Sequence, residues 1–319
     1  MFVYVMLAVA ASLCFALQFV FNKEYQRRIE ATFFSSNNFQ IICAVMKSVI
    51  LVAIILVTGS GFKFEMYSVL MALGLCVIAV IISFLGMLTL KLGNVGTYSV
   101  FMMMGGMAVP FFMGVLFLNE EFTLLKGIAM LIMAVSIVLP LKDNQKEKNG
   151  EKKPWSAVAV YTLLCISIFF LNGGNSVISK LHPMGAEWGY KISDTYNFTL
   201  ISTLFTVFYG IIMWGIVLPL RKKTDVEKYN AEIVVLKETL KPSNLLITAG
   251  FSVFSLAGFI IQLICADKLS ASVLFPITSG GTMLFSALFG RIIYKEKISP
   301  LMAVSLLLTL TATVIFALQ

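Results

Sequence analysis

One histidine, His182, is all the imidazole chemistry that 319 residues offer, and it stands in a loop-like stretch just before Pro183. That removes most metal and acid–base schemes. Acids are missing where they would matter: no Asp or Glu lies near the middle of any long apolar stretch. Glu120, Glu121, Asp194, Asp267 and Glu296 all sit at stretch ends. With no clustered acids and no Ser/His/Asp set, no enzyme activity, catalytic residue, metal or bound cofactor is expected. The five cysteines (Cys14, Cys43, Cys76, Cys165, Cys265) lie in apolar stretches without CxxC or metal-like spacing. They read as small packing residues and define no disulfide framework or redox compartment. A GxxxxGK[ST] run is absent, which argues against ATP-driven chemistry by this chain alone.

Charge is scarce too. Charged residues make up 13% of the chain, against about 25% in a soluble domain. Hydrophobic residues make up 59%, and the mean hydropathy is +0.93. Ten stretches are long enough to cross a hydrocarbon core of about 30 Å as helices: 2–21, 38–58, 67–90, 97–118, 122–140, 155–175, 195–218, 243–266, 270–290 and 299–318. The first lacks a basic leader and is too long for a signal peptide, so it is read as a retained span. The charged run within 142–154 is the one strongly polar linker, dividing 1–141 from 155–319.

The two halves share their polar punctuation. Gln18-x-Val20-x-x-Lys23 returns as Asn175-x-Val177-x-x-Lys180, offset 157, and Asn38-Phe39 as Asn197-Phe198, offset 159. Gly105-Gly106 returns as Gly280-Gly281, offset 175, and Glu120-x-Phe122-Thr123 as Glu296-x-Ile298-Ser299, offset 176. Growing offsets are what loop insertions into one of two five-helix copies would leave. Duplication inside a membrane protein is the mark of transporters whose halves rock around a site at their interface.

The net charge of +8 is unevenly distributed. Loops after odd-numbered spans hold 18 of the 24 Lys and Arg, and loops after even-numbered spans hold 5. The positive-inside rule then places the odd loops in the cytoplasm and both termini outside. Aromatics do not interleave with the basic residues, so nucleic acid is not an expected partner. Within 219–242, Val226, Tyr229, Ile233, Leu236 and Leu240 recur at steps of three and four. That spacing predicts an amphipathic helix, lying on the membrane surface or serving as a solvated connector.

Ten spans in two repeats, the Gln/Asn-x-Val-x-x-Lys ends of the first and sixth, and the Glu-x-Phe/Ile-Thr/Ser steps after the fourth and ninth resemble the drug/metabolite transporter superfamily. The EamA-type branch is the nearest in pattern, and the resemblance covers all but 142–153 and 219–242. It implies an all-α polytopic fold of ten transmembrane helices, in two inverted five-helix repeats around a central cavity. It also implies transport of small metabolites, often amino acids outward, and termini in the cytoplasm, opposite to the charge count. The small multidrug-resistance branch of the superfamily exchanges protons through a glutamate in its first helix. The first span here has none, which disfavours proton-coupled drug efflux.

Polar side chains inside hydrocarbon should face protein or water. Gln18 and Asn22 share a face of the first span, as Asn172 and Asn175 do in its counterpart. Gln40 and Lys47 share a face of the second span, and Thr199 and Thr206 of the seventh. Gln262 lies on a stripe with Ser252 and Ser255. The fourth and ninth spans carry Gly105-Gly106 with Pro110, and Pro276 with Gly280-Gly281, read as backbone interruptions near a site. Tyr98 and Phe101 precede the first pair, and Phe275, Thr278 and Ser279 flank the second. These fourteen residues are the expected substrate-lining set, set against helix packing as the plainer use of Ser, Thr and Gly. Lys47, near the bilayer midplane, would attract an anionic or zwitterionic substrate, set against pairing with helix-terminal carbonyls or a lysine kept neutral by desolvation. The reading is a secondary transporter exporting an amino-acid-like metabolite across the cell membrane. A receptor or scaffold and a proton-coupled multidrug exporter stand as alternatives, with substrate and bilayer as partners and a homodimer left open.

Overall fold

The computed structural model describes residues 2–29, 32–92, 95–144, 155–295 and 300–318. Most of the 142–154 linker and the Glu296-x-Ile298-Ser299 step lie outside these residues. Among them the chain is all-helical: α1 (Phe2–Arg28), α2 (Phe33–Thr58), α3 (Met66–Leu92), α4 (Val95–Phe117), α5 (Leu124–Asn144), α6 (Trp155–Met184), α7 (Thr195–Ile212), α8 (Leu218–Thr224), α9 (Val226–Thr239), α10 (Pro242–Lys268), α11 (Ala271–Tyr294) and α12 (Pro300–Ala317). A π-helical turn, Met213–Val217, joins α7 to α8.

Long apolar runs become helices because lipid offers no partner for a bare peptide group. Among the described residues seven helices are long and apolar enough to cross a membrane: Phe2–Arg28, Phe33–Thr58, Met66–Gly86, Ala159–Met184, Thr195–Thr224, Pro242–Lys268 and Ala271–Tyr294. Shorter apolar helices, Phe101–Phe117, Leu124–Ser136 and Ala303–Ala317, fall where three further spans are expected. Helix ends are marked by polar caps. Thr32 and Ser35 form a capping box at α2, Gly59 closes it in the left-handed region (φ 65°), and the Asp194 carboxylate takes the Tyr196 and Asn197 amides at the start of α7.

Two expectations are corrected. The fourth and ninth spans are not interrupted: α4 runs through Pro110 and α11 through Pro276. The glycines serve close approach instead. A Cβ at Gly105 would run into the Phe169 main chain, and one at Gly173 would lie 2.8 Å from the Gly105 carbonyl, so α4 and α6 cross backbone to backbone. His182 is not in a loop but buried near the end of α6, which continues through Pro183. The spacing over 219–242 does give a helix, α9, in which Val226 (58% exposed) and Leu240 (48% exposed) lie open while Tyr229, Ile233 and Leu236 are half-buried. The docked face carries Glu232, Val235 and Thr239, because polar pairs make the contact: Glu232 meets Arg221, and Thr239 meets the Tyr25 hydroxyl at 2.9 Å.

The chain forms two compact units, and neither is a sequence half. The first comprises Met1–Ala16, Ile78–Met184 and Ile261–Gln319. Its core holds Met107, Phe111, Met133, Leu274, Phe275 and Phe316, with α4 packed on α6 and α11, and α5 on α12. The turn between α10 and α11 is clamped at both ends. Buried Lys180 donates to the Ala266 and Leu269 carbonyls at 2.7 Å each, satisfying the end of α10. Glu120 accepts the Ala271 amide at 2.6 Å and the Ser272 amide at 2.9 Å at the start of α11.

The second unit comprises Leu17–Val77 and Gly185–Ile260. Here α2 packs antiparallel on α7, and Asn38 and Asn197 tie each helix to the far end of the other. Asn38 Oδ1 accepts Trp214 Nε1 at 2.8 Å, next to the π turn. Asn197 donates to the Gly61 carbonyl at 3.0 Å and accepts the Lys63 amide at 3.3 Å, just past the end of α2. Midway, Ser48 donates to Thr203 at 2.9 Å.

Candidate substrate site

In the second unit the sequence-expected residues gather along α2 and α7. Lys47 is half-buried near the middle of α2, one residue from the Ser48–Thr203 crossing. Its Nζ lies 5.4 Å from the centre of the Phe251 ring on α10. Among the described residues Lys47 makes no ion pair. A charge at this depth costs at least about 2.5–3.5 kcal/mol, and a cation–π contact returns about 0.5–2 kcal/mol. The ring alone does not balance the charge, so a charged Lys47 needs water or an anion beside it. Phe251 is held by Phe39, edge-on at 4.7 Å, and Phe39 by Tyr25 at 4.4 Å.

The other expected residues of this unit are less committed to a ligand. Gln18 and Gln40 are half-buried. Asn22, also half-buried, accepts from Gln26 at 3.3 Å. Thr199 is buried and bonds its own helix at the Thr195 carbonyl, 2.7 Å away. Thr206 bonds the Ser202 carbonyl at 3.2 Å and lies 3.9 Å from Cys76 Sγ.

In the first unit, Asn172 spends its amide on structure. Its Nδ2 donates to the Met102 carbonyl at 2.7 Å, in space that a Cβ at Gly106 would invade. Asn175, Phe101, Gln262 and Ser279 are half-buried, and the Asn175 carbonyl accepts the Ser179 hydroxyl at 2.9 Å. Phe275, 1% exposed, belongs to the apolar core, and buried Thr278 bonds back to the Leu274 and Phe275 carbonyls. Phe275 and Thr278, expected at a cavity wall, are therefore interior packing groups in this conformation. Tyr98 lies on α4, with its side chain outside the described residues.

Sequence reasoning missed Phe251, whose role gave no signal among 27 phenylalanines. It placed Ser255 on a polar stripe without assigning it a role. In the structure Ser255 is 6% exposed and its hydroxyl has no partner.

No family model matches the chain, and no curated protein does. A crystal structure of another protein aligns with 98% of this chain and 95% of its own, with a TM-score of 0.66 and 13% sequence identity. That likeness shows a shared fold.

Proposed function

We propose that the chain is a secondary transporter, exporting a small polar or amphipathic, amino-acid-like metabolite across the cell membrane by alternating access. In this reading ten spans form two inverted five-helix repeats around a central cavity. Support comes from the pairing of counterparts: α2 lies against α7, α4 against α11 and α5 against α12, as duplicated helices would. The reciprocal ties of Asn38 and Asn197 at opposite ends of the α2–α7 pair favour an inverted relation between the copies. The resemblance to the EamA-type branch supplies the direction and the substrate class.

The observation that carries the proposal is Lys47, a charge held at mid-helix beside the crossing of two duplicated helices. A protein that only had to fold would lose nothing by an apolar residue there, whereas a transporter uses such a group to draw substrate into the membrane. The test is flux in proteoliposomes preloaded with a defined mixture of labelled amino acids and organic acids. Time-dependent efflux from protein-containing vesicles, absent from empty ones, is expected. Retention of label on the protein without efflux would favour the receptor or scaffold instead.

A further inference from the structure

Among the described residues, the buried hydroxyls in the helix interiors of the second unit are hydrogen-bonded, with one exception on α10. Ser48 bonds Thr203, Thr203 bonds the Leu200 carbonyl at 2.9 Å, and Thr248 bonds the Leu245 carbonyl at 2.9 Å. Ser252 bonds the Thr248 carbonyl at 2.7 Å. Ser255, on the same helix, is more than nine-tenths buried with its Oγ unpartnered. A serine in a helix always has its own i−4 carbonyl within reach, and bonding to it is the default in apolar surroundings. A buried hydroxyl that declines that bond costs stability that an alanine would not.

The orphan is well placed. Ser255 follows Phe251 by four residues, which puts both on one face of α10, and Phe251 is the ring beneath the Lys47 ammonium. Helices α2 and α10 touch below this level, where Ser252 reaches the Cys43 carbonyl at 3.4 Å. They meet again above it, where Leu51 and Leu256 share an apolar cluster. Lys47 and Ser255 are bracketed by those two contacts.

We infer that Lys47 and Ser255 form an oxyanion subsite for the transported molecule. The ammonium supplies the charge, the Ser255 hydroxyl supplies a second donor, and the Phe251 ring holds Lys47 until a carboxylate or similar group arrives. A charge-assisted hydrogen bond is the stronger partner of the two, so the ring yields. This rests on the transport reading and narrows it to substrates of net negative charge. Among the described residues no Asp or Glu stands mid-span to receive the ammonium of a zwitterion.

The experiment places Ser255→Cys in the otherwise native protein in vesicles, and reads modification of that peptide by mass spectrometry. The probes are an anionic sulfonatoethyl and a cationic trimethylammonioethyl methanethiosulfonate, each normalised to its rate with a free thiol. The anionic reagent should be favoured about tenfold, the factor that one nearby positive charge supplies at partial burial. Lys47→Met in the same background should erase the preference, and Lys47→Arg should keep it. Equal rates, a cationic preference, a preference indifferent to Lys47→Met, or no modification by either reagent would overturn the subsite. Flux of the native protein is scored separately. Flux without the preference sinks the subsite alone, and the preference without flux sinks the transport reading alone.

Discussion

Two lysines illustrate how position decides what a charge is for. Lys180 is buried with its ammonium on two carbonyls at the end of α10. Lys180→Met leaves those acceptors bare and should cost about 1–3 kcal/mol, read as a lower Tm in detergent. Among the described residues Lys47 makes no ion pair and its Nζ faces the Phe251 ring, so Lys47→Met removes an unbalanced charge. Its Tm should hold or rise, while flux of an anionic substrate falls at least about tenfold, the worth of about 1.4 kcal/mol of lost attraction. Lower stability together with unchanged flux for Lys47→Met would reverse the assignment. Lys47 was legible from the sequence because a charge inside a 26-residue apolar helix stands out. Lys180 was legible only as half of a repeat, since nothing local says which carbonyls a terminal lysine will reach.

At the level of helices, Gly105-Gly106 and Pro110 illustrate a signal with two meanings. Glycine and proline weaken a helix and also let another approach it, and a single sequence cannot tell which use applies. Here α4 stays continuous, and the small surface admits α6. Gly105→Ala should therefore destabilise by about 1–3 kcal/mol through overpacking against the Phe169 backbone. Gly215→Ala, whose Cβ would meet nothing within 4 Å, should be neutral or gain up to about 1 kcal/mol. Thermal unfolding of both variants makes the comparison, and equal losses would mean that the crossing is looser than described. Helix α9 shows the converse limit. Its existence follows from three-and-four spacing, but its docked face does not, because buried Glu232 and Thr239 find Arg221 and Tyr25 from distant parts of the chain. Tyr25→Phe removes the hydroxyl that joins α1 to α9, and faster hydrogen exchange over 226–239 is the expected readout.

Across the whole molecule, the division suggested by the charged linker and the compact units of the structure differ. Residues 142–154 divide the sequence in two, yet each compact unit draws on both sides of that linker. Hydropathy counts spans one at a time and carries no information about which will associate. In lipid that choice rests on shape and a few polar bonds, such as Ser48 with Thr203 and Ser136 with Thr309. Orientation is where two lines of reasoning part. The charge count puts the α7–α9 end, with Arg221, Lys222, Lys223 and Lys228, in the cytoplasm and the α6–α7 connection outside. Resemblance to the EamA-type branch implies the reverse. Exposed Glu187, before α7, and exposed Glu227, on α9, lie beyond opposite ends of the apolar α7. Glu187→Cys and Glu227→Cys, treated in intact cells with an impermeant maleimide, should label at the first position and stay protected at the second. The charge asymmetry is what the insertion machinery reads, and it favours the odd loops by 18 to 5. Labelling at Glu227→Cys alone would place the termini inside, and the direction of export would then have to be reassigned relative to this end of α7.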